Sequence, residues 1–324
     1  MRNSETIFAP AKAPLSIAVL VLPQASILTV AATLDPMRSA NRHLGRDAFQ
    51  WRVVSPDGNA VPLTCGLSLP ATGPLSAAEG ADALIVIAGF RQAEMATRPL
   101  IRDLRRLASR FRAVGGIDAG SWVLARAGLL DGHRATVHWE DLEDLAHAHP
   151  QIEVAPDRFV ISGSRMTAGG AGPATDLMLH LIRARHDAAT ALQVAGSFIT
   201  AARDGSEPQQ SARTAPLPAR ADARVTAAIA RWEGRLDDPE PMAETARALN
   251  LTPRRLEMLF RKELGQPPGA YALNLRLQAA RRLVADTAHP LQEVALRTGF
   301  TSQSAFSRAF RRRFGLSPSA VRRG

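Results

Sequence analysis

Apolar and polar positions follow two different rhythms along this chain. From Leu15 to Arg203, short runs that are apolar almost throughout alternate with longer stretches of helical spacing. Leu15–Leu22, Trp51–Ser55, Ala83–Ala88 and Ala113–Ile117 read as short buried strands. Leu28–Asn41, Ala93–Phe111, Trp122–Ala127 and Ala174–Ala202 read as helices, with apolar residues recurring three and four apart. Strands without a polar side need cover on both faces. The alternation therefore predicts an α/β domain, a parallel sheet with helices packed on either side.

The rhythm changes at Asp204–Asp222, DGSEPQQSARTAPLPARAD. This stretch holds three prolines, no aromatic residue and no apolar period, which marks a linker over 204–222. Beyond it nothing reads as a strand. Ala223–Leu236, Met242–Leu249, Pro253–Leu264, Leu273–Asp286, Leu291–Thr298 and Gln303–Phe314 carry helical spacing, separated by Gly, Pro, Ser and Thr. The expected organisation is an α/β domain over 14–203 and an all-α domain over 223–324.

A length of 324 residues suits two ordinary domains, and 46% hydrophobic with 22% charged residues indicates folded rather than disordered chain. The single cysteine, Cys65, excludes a disulfide framework and an all-cysteine metal site. No apolar run approaches the ~20 residues of a membrane span. Met1–Pro14 lacks the basic-then-apolar order of a secretory signal, so a cytoplasmic location without membrane attachment is expected. The net charge of +10 is unevenly placed. Met1–Asp222 carries 22 basic and 21 acidic residues, whereas Ala223–Gly324 carries 18 and 9. A basic module beside a near-neutral domain suits a polyanion partner; on charge alone, a solvated basic face fits equally well.

The basic module contains a repeat. Thr252-Pro-Arg-Arg-Leu256 with Phe260, Leu264, Gly265 and Pro268 recurs 50 residues later as Ser302-Gln-Ser-Ala-Phe306 with Phe310, Phe314, Gly315 and Pro318. Each copy follows a short helix, giving two helix-turn-helix units over about 242–264 and 291–314. Thr252 and Ser302 are good N-caps, Pro253 fits a first helical turn, and Gly265 and Gly315 end the helices. Leu256, Phe260 and Leu264, like Phe306, Phe310 and Phe314, form the inward stripe. The opposite faces hold Arg254, Arg255, Arg261, Lys262, Arg308, Arg311, Arg312 and Arg313.

The stretch from Leu291 through Gly299-Phe300, Phe306, Phe310 and Phe314-Gly315 to Pro318 resembles the signature of AraC/XylS-type transcription regulators. The resemblance covers about Ala223–Gly324 and implies two recognition helices entering successive major-groove segments of promoter DNA. By position it nominates Arg254, Glu257 and Met258 in the first unit as base readers, with Gln303, Ser304, Ser307 and Arg308 in the second. Arg312 and the other arginines are expected at phosphates, where they add affinity without sequence information. Met258 departs from the family pattern, which often has arginine there. A thioether cannot bond a guanine edge, so readout at that position turns apolar. The resemblance also implies RNA polymerase contact and activation of nearby promoters.

In the α/β domain, Ala113–Ile117 runs into a glycine-containing turn and a helix, AVGGIDAGSWVLARA. Strand, sharp turn and helix make a nucleophile elbow, which lifts one side chain above the sheet. Leu15–Arg203 resembles the ThiJ/PfpI branch of the class I glutamine-amidotransferase-like superfamily, which implies a flavodoxin-like sheet. The family places a cysteine at the elbow, a histidine about twenty residues on and an acid after the first strand. Here those positions are Asp118, His138 and Thr29. The histidine is kept and the nucleophile is gone. Because a thiolate carries that chemistry, no enzyme activity is expected.

Three roles are open to Asp118: general base on water with His138, cap of the following helix, or ligand anchor. The rival class is a ThiJ/PfpI-like hydrolase or amidase carrying an accessory DNA module. As an anchor, Asp118 with Trp122, His138 and Trp139 suits a cation. Backbone N–H groups at Gly89-Phe90 and Gly169-Gly170 can meet a carboxylate. A small-molecule effector of amino-acid, betaine or carnitine type is expected, and each tryptophan can equally be core. His133, His147 and His149 among acids match no zinc spacing, and no lysine follows Gly169-Gly170-Ala-Gly172 as in a phosphate loop. No metal or cofactor is called for. A homodimer is expected, because two DNA modules in one complex multiply affinity.

Overall fold

A computed structural model describes residues 6–209, 222–287 and 289–323. The chain divides into two compact units, Met1–Gln210 and Ser211–Gly324. In the first, β1 (Leu15–Val21), β2 (Phe49–Val54), β3 (Ala83–Ala88), β4 (Ala113–Asp118), β5 (Phe159–Ser162) and β6 (Arg165–Ala168) form one sheet in the order β2-β1-β3-β4-β6-β5. All pairs are parallel except the β5–β6 hairpin. This is a flavodoxin-like order.

The six helices of this unit among the described residues that are longer than one turn are α1 (Ile27–Leu44), α2 (Arg98–Ala108), α3 (Gly120–Arg126), α4 (Leu142–Ala148), α5 (Ala171–Arg185) and α6 (Ala188–Ser197). Strand alternation divides the core in two. Ile17, Val19 and Val21 pack with Met37 of α1 and Leu177 and Ile182 of α5. Ala18, Leu20 and Leu22 pack with Leu100 and Leu104 of α2 and Val123 and Leu124 of α3. The sheet is therefore covered on both faces, and the loops after β1, β3, β4 and β6 share its carboxyl edge, where ligands of such sheets bind.

Several boundaries differ from those the apolar period predicts. The helix expected over Ala93–Phe111 breaks before Arg98, where Thr97 accepts from Leu100 N–H at 3.5 Å and Pro99 occupies the first turn. The helix expected over Ala174–Ala202 breaks at Asp187, whose carboxylate accepts from Thr190 N–H at 2.6 Å. In both cases a local cap overrides a continuous apolar stripe. The apolar period does not predict the β5–β6 hairpin, whose strands of four residues each are too short for a clear period. Asp204–Gln209, assigned to the linker by composition, is hydrogen-bonded onto this unit.

The second unit is helical throughout its described residues: α7 (Ala223–Glu233), α8 (Met242–Ala248), α9 (Pro253–Leu264), α10 (Pro268–Asp286), α11 (Leu291–Arg297), α12 (Gln303–Phe314) and α13 (Pro318–Arg323). The apolar period predicts a start for α10 at Leu273 and gives no sign of α13. Pro267-Pro268 opens α10 a turn early, as proline does at a first helical position. There are two small cores. Val225, Ile229, Trp232, Leu256 and Phe260 build one, with Tyr271 and Leu275 from α10. Val294, Phe300, Phe306 and Phe310 build the other, with Leu277, Ala280 and Val284 from the same helix. One helix thus serves both helix-turn-helix units. Arg276 locks the second to it, donating to the carbonyls of Thr298 at 2.6 Å and Gly299, with its guanidinium 4.4 Å from the Phe300 ring centre.

Candidate functional site

The elbow forms where β4 meets α3. Asp118 holds φ at +58°, a left-handed conformation that a non-glycine residue adopts only under constraint. The constraint is visible on both sides. Ala119 N–H donates to Ala88 O at 3.2 Å, and Gly120 lies so close to the Val86 carbonyl that any side chain would overlap it. The turn is pinned to β3, and Asp118 projects at the carboxyl edge of the sheet. Protein atoms crowd its carboxyl on most sides, although the residue keeps intermediate exposure.

This burial pushes the Asp118 carboxyl up to about 7, and the charges of Asp141 and Glu140 push the same way. The Thr29 hydroxyl, which donates to Oδ2 at 3.5 Å, and the Ala119 N–H oppose them. The position that the family gives to an acid is thus a hydroxyl beside the elbow. His138 opens the loop carrying Glu140 and Asp141. Its ring is 5.8 Å from that of Trp139, and Nδ1 is 3.7 Å from Glu140 Oε2. A methyl at Gly170, after β6, would stand 3.6 Å from His138 Cδ2. The elbow and the His138–Asp141 loop are therefore neighbours through the charges of Asp141 and Glu140, and the glycine turn after β6 lies beside His138.

The other nominated residues lie at different distances from this chemistry. Phe90 is 50% exposed on the loop after β3, which abuts the loop after β1: a methyl at Gly89 would be 2.5 Å from Gln24 O. Trp122 packs against the α2–α3 core, edge-on to His149 at 5.9 Å, and carries the Arg126 guanidinium at 5.7 Å over its ring. That face already has its cation. The N–H of Gly169, expected to be open to a carboxylate, donates to Arg158 O at 3.0 Å, because the β5–β6 hairpin closes there. Cys65 is exposed on the hairpin between Val61–Pro62 and Ser68–Leu69, not at the elbow. Sequence reasoning missed Glu140 and Asp141 as electrostatic neighbours of Asp118, and Gln209, whose amide reaches the carbonyl of Val137.

In the second unit, the Thr252 and Ser302 hydroxyls each accept from the N–H three residues on, at 3.2 Å. Gly265 and Gly315 end the helices at φ of +68° and +77°. The two recognition helices therefore correspond position by position, and Met258 stands where the repeat has Arg308. Arg254, Glu257, Met258, Gln303, Ser304, Arg308 and Arg312 are exposed, and Ser307 is half-buried. Glu257 is held by Arg261 through contacts of 3.0 and 3.1 Å. Arg313 turns away from this face, donating to Asn274 of α10 at 3.0 Å.

Residues 16–184 match the DJ-1/PfpI family and residues 245–324 a helix-turn-helix domain family. The HTH-type transcriptional regulator CdhR of Pseudomonas aeruginosa is 37% identical over 303 residues, covering 94% of this chain and 90% of its own. GbdR, an HTH-type transcriptional regulator of the same species, is 33% identical over 311 residues, 96% and 85% respectively. An AraC family transcriptional regulator structure from Pseudomonas putida, 31% identical, superposes with a TM-score of 0.53 over 57% of this chain and all of its own. No helix among the described residues is long and apolar enough to cross a membrane. An elbow without a thiol, two groove-sized helix-turn-helix units and these relatives agree: the chain belongs to the DNA-binding transcription regulators that join a DJ-1/PfpI domain to an AraC-type helix-turn-helix domain.

Proposed function

We propose that this regulator is an activator controlled by a small cationic or zwitterionic metabolite, of amino-acid, betaine or carnitine type, and that it has no catalytic role. The observation that carries the reading is the elbow itself. A carboxyl replaces the nucleophile at the sheet edge proposed as the effector cleft, and the charges that act on it, Asp141 and Glu140, are also acidic. These acidic groups, with the adjacent His138 and Trp139 rings as the proposed wall of this cleft, favour a positive ligand by charge and by cation–π attraction. Phe90, exposed on the loop after β3, is expected at its rim. Trp122 supports the cleft from the core rather than touching the ligand. Ligand binding shifts the balance between arrangements that differ in DNA affinity. The active form is a homodimer that places Arg254, Glu257, Met258, Gln303, Ser304, Ser307 and Arg308 at base edges and Arg312 at phosphate, next to RNA polymerase.

A thermal-shift screen of the protein against arginine, glycine betaine and carnitine tests this, repeated with Asp118→Ala. A stabilising hit that Asp118→Ala abolishes is the expected result. A hit of equal size in the variant removes Asp118 as the anchor. One observation favours the hydrolase reading, because a carboxyl near 7 suits a general base. Turnover of amide or ester substrates that is lost in Asp118→Asn would establish it.

A further inference from the structure

We propose that Gln209 is a positioning residue that fastens the His138 wall of the cleft to the stretch of chain leading toward the DNA-binding unit; this rests on reading that cleft as the effector site. After α6 the chain returns across the hairpin and is held at successive points. Arg203 N–H donates to Asp176 Oδ1 at 3.0 Å, and the same carboxylate receives Arg158 through Nε at 2.8 Å and Nη2 at 2.6 Å. Arg158 N–H is shared between the carbonyls of Gly205 and Glu207, each at 3.0 Å. Gln209 N–H then reaches Pro156 O at 2.8 Å.

The side chain of Gln209 completes this strap inside the domain. Its Nε2 donates toward Thr136 Oγ1 and Val137 O at 2.8 Å and Asp157 O at 2.9 Å. Thr136 is fully buried, and its own hydroxyl donates to Asp157 O at 2.9 Å, so the amide closes a buried network. Two short routes join this amide to the cleft. Val137, whose carbonyl receives it, is bonded to His138. Gly169 lies against the amide so closely that any side chain there would overlap it, and the next residue, Gly170, lies against the His138 ring. A ligand that moves His138 therefore moves an acceptor of Gln209, and Gln209 lies one residue before the end of the first unit at Gln210.

Neither route involves Asp118, so the inference can fail while the effector reading stands. Hydrogen exchange read by mass spectrometry on the ligand-free full-length protein tests it, using Gln209→Met, Gly169→Ala, His138→Ala and Glu207→Gln. Gln209→Met keeps the volume and removes the donors. Gly169→Ala keeps the glutamine at 209 but pushes its side chain out of its seat. Both are expected to raise exchange about tenfold in residues 134–141 and 203–209, with 171–185 unchanged. His138→Ala is expected to raise exchange in 203–209 from the other side. Glu207→Gln loosens only the outer turn, where Arg203 Nε meets Glu207 at 2.8 Å, and should leave 134–141 as in the wild type. A strap that is merely structural gives faster exchange in 203–209 alone for Gln209→Met and Gly169→Ala, or no response there to His138→Ala. Either result overturns the proposal. Coupling observed together with failure of all three cations to bind would leave the latch intact and remove the effector class.

Discussion

Burial and the Asp141 and Glu140 charges oppose ionisation of the Asp118 carboxyl and raise its pKa to about 7. Its folded value, about 7, lies above the ordinary 3.8, so the folded protein retains a proton that the unfolded chain has released. The stabilisation from this group is full below 3.8 and is lost as pH rises through 7. Asp118→Asn removes the dependence. Urea melts at several pH values should show the variant gaining on the wild type across that window, by up to about 4 kcal/mol before solvent screening; parallel curves would contradict the assignment. A cationic ligand should bind more tightly as pH rises toward 7 and level off above it. In the recognition helices, Arg308→Ala should cost roughly 1–3 kcal/mol and relax preference at one base position, whereas Arg312→Ala should weaken all sequences alike and flatten the salt slope by about one. Gel-shift titrations on selected and scrambled sites separate the two; equal losses on both sites for Arg308→Ala would remove it as a base reader. Met258→Arg should shift the selected base at its position from one tolerated through a thymine methyl to guanine.

Elements were legible where packing and local signals agree. β3 is apolar and buried throughout, β1 is so except at Ser16, and the Thr252 and Ser302 caps with glycine ends delimit α9 and α12 as read. Thr252→Ala should lower stability by about 1 kcal/mol in urea, since the Arg255 N–H loses its acceptor. No measurable change would mean that water replaces the cap without loss. The apolar period failed where a cap cut a continuous stripe, at Thr97 and Asp187, and where strands were too short, in β5 and β6. Of the cleft, Asp118 and His138 were legible because the elbow is a strand-to-helix turn with a fixed spacing. The Gln209 amide was not. Its environment is made by Thr136, Val137 and Asp157, remote in sequence, and its own surroundings read as proline-rich linker.

At the scale of the whole molecule, two units divide the work by charge. The excess of positive charge sits in the helical unit, and the acidic cleft sits in the α/β unit. DNA affinity should therefore fall steeply with salt while effector affinity, exerted over short distances in a crowded cleft, falls less. One titration of full-length protein on a DNA fragment that it enriches from genomic DNA, followed by fluorescence anisotropy with and without arginine, glycine betaine or carnitine, reads the coupling of effector to DNA. One of these is expected to change DNA affinity about fivefold or more in the wild type and not in Asp118→Ala. No change with any of the three, or an equal change in the variant, would contradict it.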